Sequence, residues 1–140
     1  MKNISPAEFK QILKIDKESF DYYYDRAKMS AAFDYYDHIF VRSKNKIVSF
    51  LLYKVEKEKV FIRRIAVAAA LRQKGYGKKM VEKIVTIAQK SKKKKVYAFS
   101  RVSNVKGVKF FKSLNFEIKN KIEKYYLPND ETAYILERPV

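Results

Sequence analysis

The chain has 140 residues, 47% of them hydrophobic, and carries a formal net charge of +17. That length fits one domain with a real core, residues 1–140, and the apolar content excludes a disordered chain despite the charge. With no cysteine and a single histidine, His38, the composition excludes disulfides, a thiolate nucleophile and a multi-histidine metal centre, and no metal is expected.

Ser5-Pro6-Ala7-Glu8 predicts a helix start, with Ser5 as cap, Pro6 at the first position and Glu8 closing a capping box. Phe9, Ile12, Leu13 and Phe20 follow near one helical face. A weaker helical pattern covers Tyr22 to Phe33. His38–Arg42, Ile47–Val55 and Lys59–Val67 read as strands, separated at hairpin spacing by Ser43–Lys46 and by a turn near Lys57. Arg63 and Arg64 interrupt the third strand. Met80, Val81, Ile84, Val85 and Ala88 recur at three and four residues, marking a core-facing helix from Gly77 to Lys90. Val96–Arg101 is a strand and Asn104–Leu114 a short helix. Phe116–Leu127 and Thr132–Arg138 close the chain as a strand pair around Pro128-Asn129-Asp130. Strand, helix, strand from residue 60 onward implies a parallel pair joined by a crossover helix. The expected fold is α/β: a mixed, mostly antiparallel sheet of about six or seven strands, with helices on both faces.

Arg72-Gln73-Lys74-Gly75-Tyr76-Gly77 lies between the third strand and the core-facing helix. Glycines one residue apart allow a tight turn and close approach of another molecule. The helix presents its first unpaired N–H groups and positive dipole end at that turn, which makes an anion site suited to phosphate.

No apolar run approaches the roughly 18 residues of a membrane span, and no signal-peptide core opens the chain; a cytoplasmic location is expected, with no membrane partner. A field of +17 draws anions inward. A phosphorylated cofactor, RNA, a ribosomal surface or an acidic peptide would each answer to it, and so would plain solubility, since lysine dominates over arginine.

Ile65-Ala66-Val67 followed by Arg72–Gly77 resembles the acetyl-CoA-binding signature of the GNAT superfamily of N-acetyltransferases. Ser103-Asn104 with Phe110-Phe111-Lys112-Ser113-Leu114-Asn115-Phe116 looks like the second signature of that family. Tyr125-Tyr126, an acidic turn and Ala133–Arg138 look like the closing strands of its branch that acetylates protein N-termini, ribosomal proteins among them. The resemblance spans about residues 38 to 138.

It implies a central parallel pair splayed after residue 65, with pantetheine pairing along Ile65, Ala66 and Val67. Pyrophosphate would rest on the amides of Gln73, Lys74, Gly75, Tyr76, Gly77 and Lys78, beside Arg72. The Val67 N–H would stabilise the oxyanion, the largest catalytic term in many enzymes. Asn104 would hold the cofactor arm, cap its helix, or both, and Phe111 would adjoin the cofactor. Tyr125 and Tyr126 are candidates for proton transfer, as is Tyr97; packed wall is the alternative for each. Tyr22, Tyr23 and Tyr24 fall where the family shapes its acceptor pocket, or in the core. Glu56 and Glu58 are expected at the surface, and His38 as a half-buried strand residue.

The chain departs from the family pattern at informative places. Phe111 stands where a tyrosine commonly protonates the departing thiolate. Phe99, Arg63 and Arg64 occupy regions that often carry a glutamate. Gly107 replaces a small alanine without expected consequence, and Asn115 replaces a glycine at a left-handed helix end. A peptide α-amine has a pKa of about 7.7–8.0, so roughly a tenth is neutral at pH 7, whereas a lysine near 10.4 is neutral about once in 2,500 molecules. An α-amine needs little help from a base, and the chain offers little. The expected activity is direct acetyl transfer from acetyl-CoA to the N-terminal α-amine of a protein or peptide, by a monomer or homodimer. The alternatives are a small-molecule amine acceptor, preferably acidic, and a catalytically weak CoA-binding module that meets RNA or the ribosome through Lys92–Lys95, Lys119, Lys121 and Lys124.

Overall fold

The computed structural model describes residues 4–140. In chain order it comprises α1 Pro6–Ser19, α2 Arg26–Tyr35, β1 Asp37–Ser43, β2 Lys46–Val55, β3 Lys59–Val67, a 3-10 turn Ala69–Leu71, α3 Tyr76–Lys90, β4 Lys95–Arg101, α4 Val105–Ser113, β5 Glu117–Tyr126 and β6 Glu131–Pro139. Six strands form one sheet in the order β1-β2-β3-β4-β6-β5. The β1–β2, β4–β6 and β5–β6 pairs are antiparallel and the β3–β4 pair is parallel, as the crossover pattern predicts. The parallel register covers Lys59–Ile62 against Lys95–Ala98, although β3 runs on to Val67 and β4 to Arg101.

By its internal contacts the chain divides into two compact units. One holds the chain up to Lys54 together with Arg63–Lys83; the other holds Val55–Ile62 together with Ile84–Val140.

In the first unit, Ser5 accepts from the Glu8 amide at 3.1 Å while Glu8 accepts from the Ser5 amide at 3.2 Å, the full capping box. Glu8 also takes the Arg42 guanidinium at 2.8 Å, tying α1 to β1. The β1–β2 turn has Lys44 and Asn45 both at positive φ, 52° and 64°, the conformation of a two-residue type I′ hairpin. Phe9, Ile12, Met29, Phe33, Phe50 and Leu52 centre the core of this unit. The largest boundary difference from the sequence pattern is at α2, which begins at Arg26, because the Asp25 carboxylate accepts from the Lys28 amide and fixes the helix start there.

In the second unit, Val60, Ile62, Ile84, Val96, Phe116 and Leu136 are fully or almost fully buried. Asn115 closes α4 at φ 68°, the left-handed conformation that its sequence position calls for. Its neighbour Phe116 donates back to the Phe111 carbonyl at 3.1 Å.

Candidate functional site

The residues expected to hold phosphate all lie in the first unit. After Val67 the chain passes through Ala68, whose amide donates to the Val48 carbonyl of β2 at 2.8 Å. Successive amides of an extended strand face opposite edges, so those of Val67 and Ile65 face away from β2. Gln73 and Gly75 then take positive φ, 62° and 89°, and α3 starts at Tyr76. The first helical bond runs from the Lys79 amide to the Gly75 carbonyl at 3.0 Å. The amides just ahead of it, of Tyr76, Gly77 and Lys78, therefore have no carbonyl one turn back within the helix. A Cβ at Gly75 would meet no atom within 4 Å, so the backbone there is open and only its φ calls for glycine. Lys74, Lys78 and Lys79 are exposed around it. No Asp or Glu occurs between Glu58 and Glu82. Its charged side chains are all cationic.

The Arg72 side chain bonds within the scaffold. Its Nε donates to the Val67 carbonyl at 3.1 Å, and one terminal nitrogen donates to the Glu18 carbonyl and the Ser19 hydroxyl, both at 3.0 Å. The side chain thus staples the end of β3 to the C-terminal end of α1, where unpaired carbonyls favour a cation. It positions the Val67 peptide.

Sequence reasoning left Arg64 unexplained, and the structure supplies the reason. Asp16 is fully buried, and Arg64 grips it as a fork, Nε to Oδ1 at 2.7 Å and a terminal nitrogen to Oδ2 at 2.9 Å. Asp16 also accepts from the Tyr24 amide at 2.8 Å, and the guanidinium lies 3.9 Å from the Phe20 ring centre and 3.8 Å from that of Tyr24. The pair fixes the α1–α2 loop. Tyr24 consequently joins the core, while Tyr22 and Tyr23 stay exposed. An Asp on the apolar face of α1 was the only hint in the sequence, and it did not indicate its partner.

His38 is a half-buried strand residue as expected, its ring 4.4 Å from that of Phe40. Burial holds its pKa below the usual imidazole range.

The second unit carries the remaining predicted residues. Asn104 caps α4, its Oδ1 accepting from the Gly107 amide at 3.0 Å. A Cβ at Gly107 would sit 2.6 Å from the Asn104 amide nitrogen. A Cβ there would displace the Asn104 side chain, so the glycine makes the room that lets Asn104 fold onto its helix. Phe111 is buried, packed edge-on against Phe110 and Phe116 at 5.2 and 5.1 Å. It is core.

Tyr97 donates its hydroxyl to Glu56 at 2.7 Å, toward the Lys59 end of the strands, which engages both groups with each other and makes Glu56 more than a surface charge. The rings of Tyr97, Phe61, Phe99, Tyr125 and Tyr126 follow one another at 4.8, 5.5, 5.2 and 4.9 Å, a continuous aromatic wall. Tyr125 is 45% exposed at its end. The β5 register shifts between Ile122 and Tyr126, with Lys124 at φ 54°. Such a bulge re-aims the side chains that follow it. Arg101 then fixes their position: its guanidinium lies 4.3 Å from the Tyr126 ring centre, bonds Glu131 at 3.2 Å and donates to the Leu127 carbonyl at 2.6 Å. Hydrogen bonds from Ser103, outweighing partial burial, hold the Glu131 carboxyl below its usual range, with Arg101 assisting.

Comparison with protein families matches residues 9–116 to the acetyltransferase (GNAT) family. The chain belongs to that family. A search of curated proteins finds no match. Among solved structures, this acetyltransferase is similar to the ribosomal-protein-S18-alanine N-acetyltransferase from Escherichia coli, at 18% identity and TM-score 0.80 over 98% of this chain and 90% of that one. It is also similar to Arabidopsis thaliana Naa50 solved with the bisubstrate analogue CoA-Ac-MVNAL, at 19% identity and TM-score 0.77 over 96% and 94%. A GNAT acetyltransferase from Elizabethkingia anophelis with acetyl-CoA bound gives 14% identity and TM-score 0.77 over 100% and 95%. These likenesses establish the fold; the acetyltransferase keeps its own side chains, with Phe111 in the core and no carboxylate on β3. Among the described residues no helix is long and apolar enough to cross a membrane, and no group of three or more metal-ligating side chains occurs.

Proposed function

We propose that this acetyltransferase moves the acetyl group of acetyl-CoA directly to the α-amine of a protein or peptide N-terminus. The observation that carries the proposal is the start of α3, where amides without helical partners stand at an open glycine turn in an acid-free segment. Diphosphate fits those amides, and Lys74 and Lys78 add charge. The Ile65 and Val67 amides, turned away from β2, suit an extended cofactor arm and a developing oxyanion. In the second unit Asn104 remains a cofactor ligand by proposal, through whatever hydrogen-bonding capacity its cap leaves unused, and Phe111 serves as core packing against Phe110 and Phe116. Acetyl-CoA, when bound, supplies the thioester; the chain supplies orientation and pre-aimed donors. The family match runs through both compact units, which supports reading residues 1–140 as one acetyltransferase domain.

The acceptor class follows from what is missing. Tyr97, the buried tyrosine on β4, is bonded to Glu56, and His38 is stacked on Phe40 in its strand, so no strong base is assigned. Tyr125 and Tyr126 are the proposed proton carriers. An α-amine, roughly a tenth neutral at pH 7, reacts under these conditions; a lysine needs about three pKa units of assistance. Thiol release from acetyl-CoA should be rapid with peptides bearing a free N-terminus and negligible with the same peptides N-terminally blocked and carrying one internal lysine. The reverse preference would refute the α-amine assignment.

A further inference from the structure

The net charge of +17 is not spread along the chain. Residues 59–116 carry 17 lysines and arginines against one acid, Glu82, while all the remaining residues carry 15 against 14. Charge that only keeps a protein soluble interleaves both signs over the surface. In the first unit the excess is accounted for. Arg63, Arg64 and Arg72 are engaged by the scaffold, and Lys74 and Lys78 stand beside the anion site.

In the second unit it is not. No acid occurs from Ile84 to Phe116. Of the cations there, Lys94, Lys95 and Arg101 reach Glu58, Glu137 and Glu131, and Lys93 donates to the Lys57 carbonyl. Lys106, Lys109 and Lys112 form a row on α4, all exposed. Among the described residues no ion pair or hydrogen bond engages their side chains. Residues three apart are neighbours on one helix face. The fold does not ask for such a row. Lys106 stands in the first turn, at the positive end of the helix dipole, and no acid offsets it there. Like charges at neighbouring helix positions repel. Only Lys112, in the last turn, suits the dipole.

We propose that the lysine face of α4 binds the phosphate backbone of RNA, a function additional to acetyl transfer. Lysines act as point charges that neutralise phosphates and release their counterions without reading bases. A protein partner fits this face less well, because lysine is depleted where proteins meet and the row holds neither aromatic nor arginine anchors. A lipid surface fits less well too: α4 buries Val108 and Phe111, and its one exposed apolar residue is Val105. The choice of RNA over DNA rests on the acceptor proposed above, since a new protein N-terminus first emerges beside the RNA of the ribosome.

The test titrates the full chain, with and without saturating CoA, against oligouridine RNA, oligodeoxythymidine, polyglutamate and phosphatidylserine vesicles. RNA should bind in the presence of CoA and at least as tightly as any other probe. The triple variant Lys106→Gln, Lys109→Gln, Lys112→Gln should flatten the slope of log affinity against log salt by about 2 and weaken RNA binding about a hundredfold at about 0.1 M salt, the effect of three lost phosphate contacts on a single strand. A control triple variant of equal net charge, Lys10→Gln, Lys14→Gln, Lys46→Gln, should keep most of the wild-type affinity. The α4 variant should melt at or above the wild-type temperature, because only repulsion is removed. Equal losses in the two triple variants, RNA binding abolished by CoA, or tighter binding of DNA, polyglutamate or vesicles would overturn the proposal. A lowered melting temperature in the α4 variant would show that the lysines serve the fold, and overturns it likewise. RNA binding by a chain that transfers no acetyl group would uphold the α4 face and refute the acetyl-transfer reading, so the two fail separately.

Discussion

At the scale of single residues, Asp16 and Arg64 are the strongest structural commitment in the first unit. Both are desolvated, and each satisfies the other in a fork. Removing one partner strands a buried charge, which typically costs about 3–5 kcal/mol; replacing both with apolar residues of like volume is often neutral. Asp16→Leu and Arg64→Met should therefore each lower the denaturant midpoint strongly, while the double variant recovers most of the loss. Additive losses would show that the pair is not a unit. The sequence reading marked Arg64 only as an interruption, because nothing local reveals that an aspartate 48 residues away shares its core. The α1 cap and the Asn115 conformation, by contrast, were legible, since each depends on neighbours within four residues.

At the scale of elements, α4 shows a cap and a glycine acting together. Gly107→Ala removes the space into which Asn104 folds, and loss of an Asn cap costs about 1 kcal/mol. The same substitution removes a helix-interior glycine, which gains about 1 kcal/mol. The two nearly cancel. Thermal unfolding should find Gly107→Ala close to wild type, and Asn104→Ala should cost about 1 kcal/mol in the glycine background but little in the alanine one. An equal cost in both backgrounds would show that the cap tolerates a Cβ at residue 107. Element types were readable along most of the chain because their periodicity is strong; the start of α2 was not, because Asp25 as cap outranked the apolar pattern beginning at Tyr22. The β5 bulge was not readable either, since a one-residue register shift leaves the alternation of a lysine-rich edge strand almost unchanged.

At the scale of the whole molecule, the sequence pattern already contained the order of elements, the parallel β3–β4 pair and the family, because three motifs recur at the family's spacing. The side-chain economy of the site was less visible. Arg72 belongs to the cofactor motif, and its guanidinium bonds the scaffold; Gly107 reads as a trivial exchange, and its lack of a side chain leaves room for the Asn104 cap. What the account depends on is the anion site at the start of α3. Isothermal titration of the purified protein with acetyl-CoA and with CoA tests it most directly, with Gly75→Glu, which brings a carboxylate to the open turn, as the control. Saturable heat with both ligands, lost in a folded Gly75→Glu variant, is the predicted result. No heat from the wild-type protein, or undiminished binding by Gly75→Glu, would contradict the account.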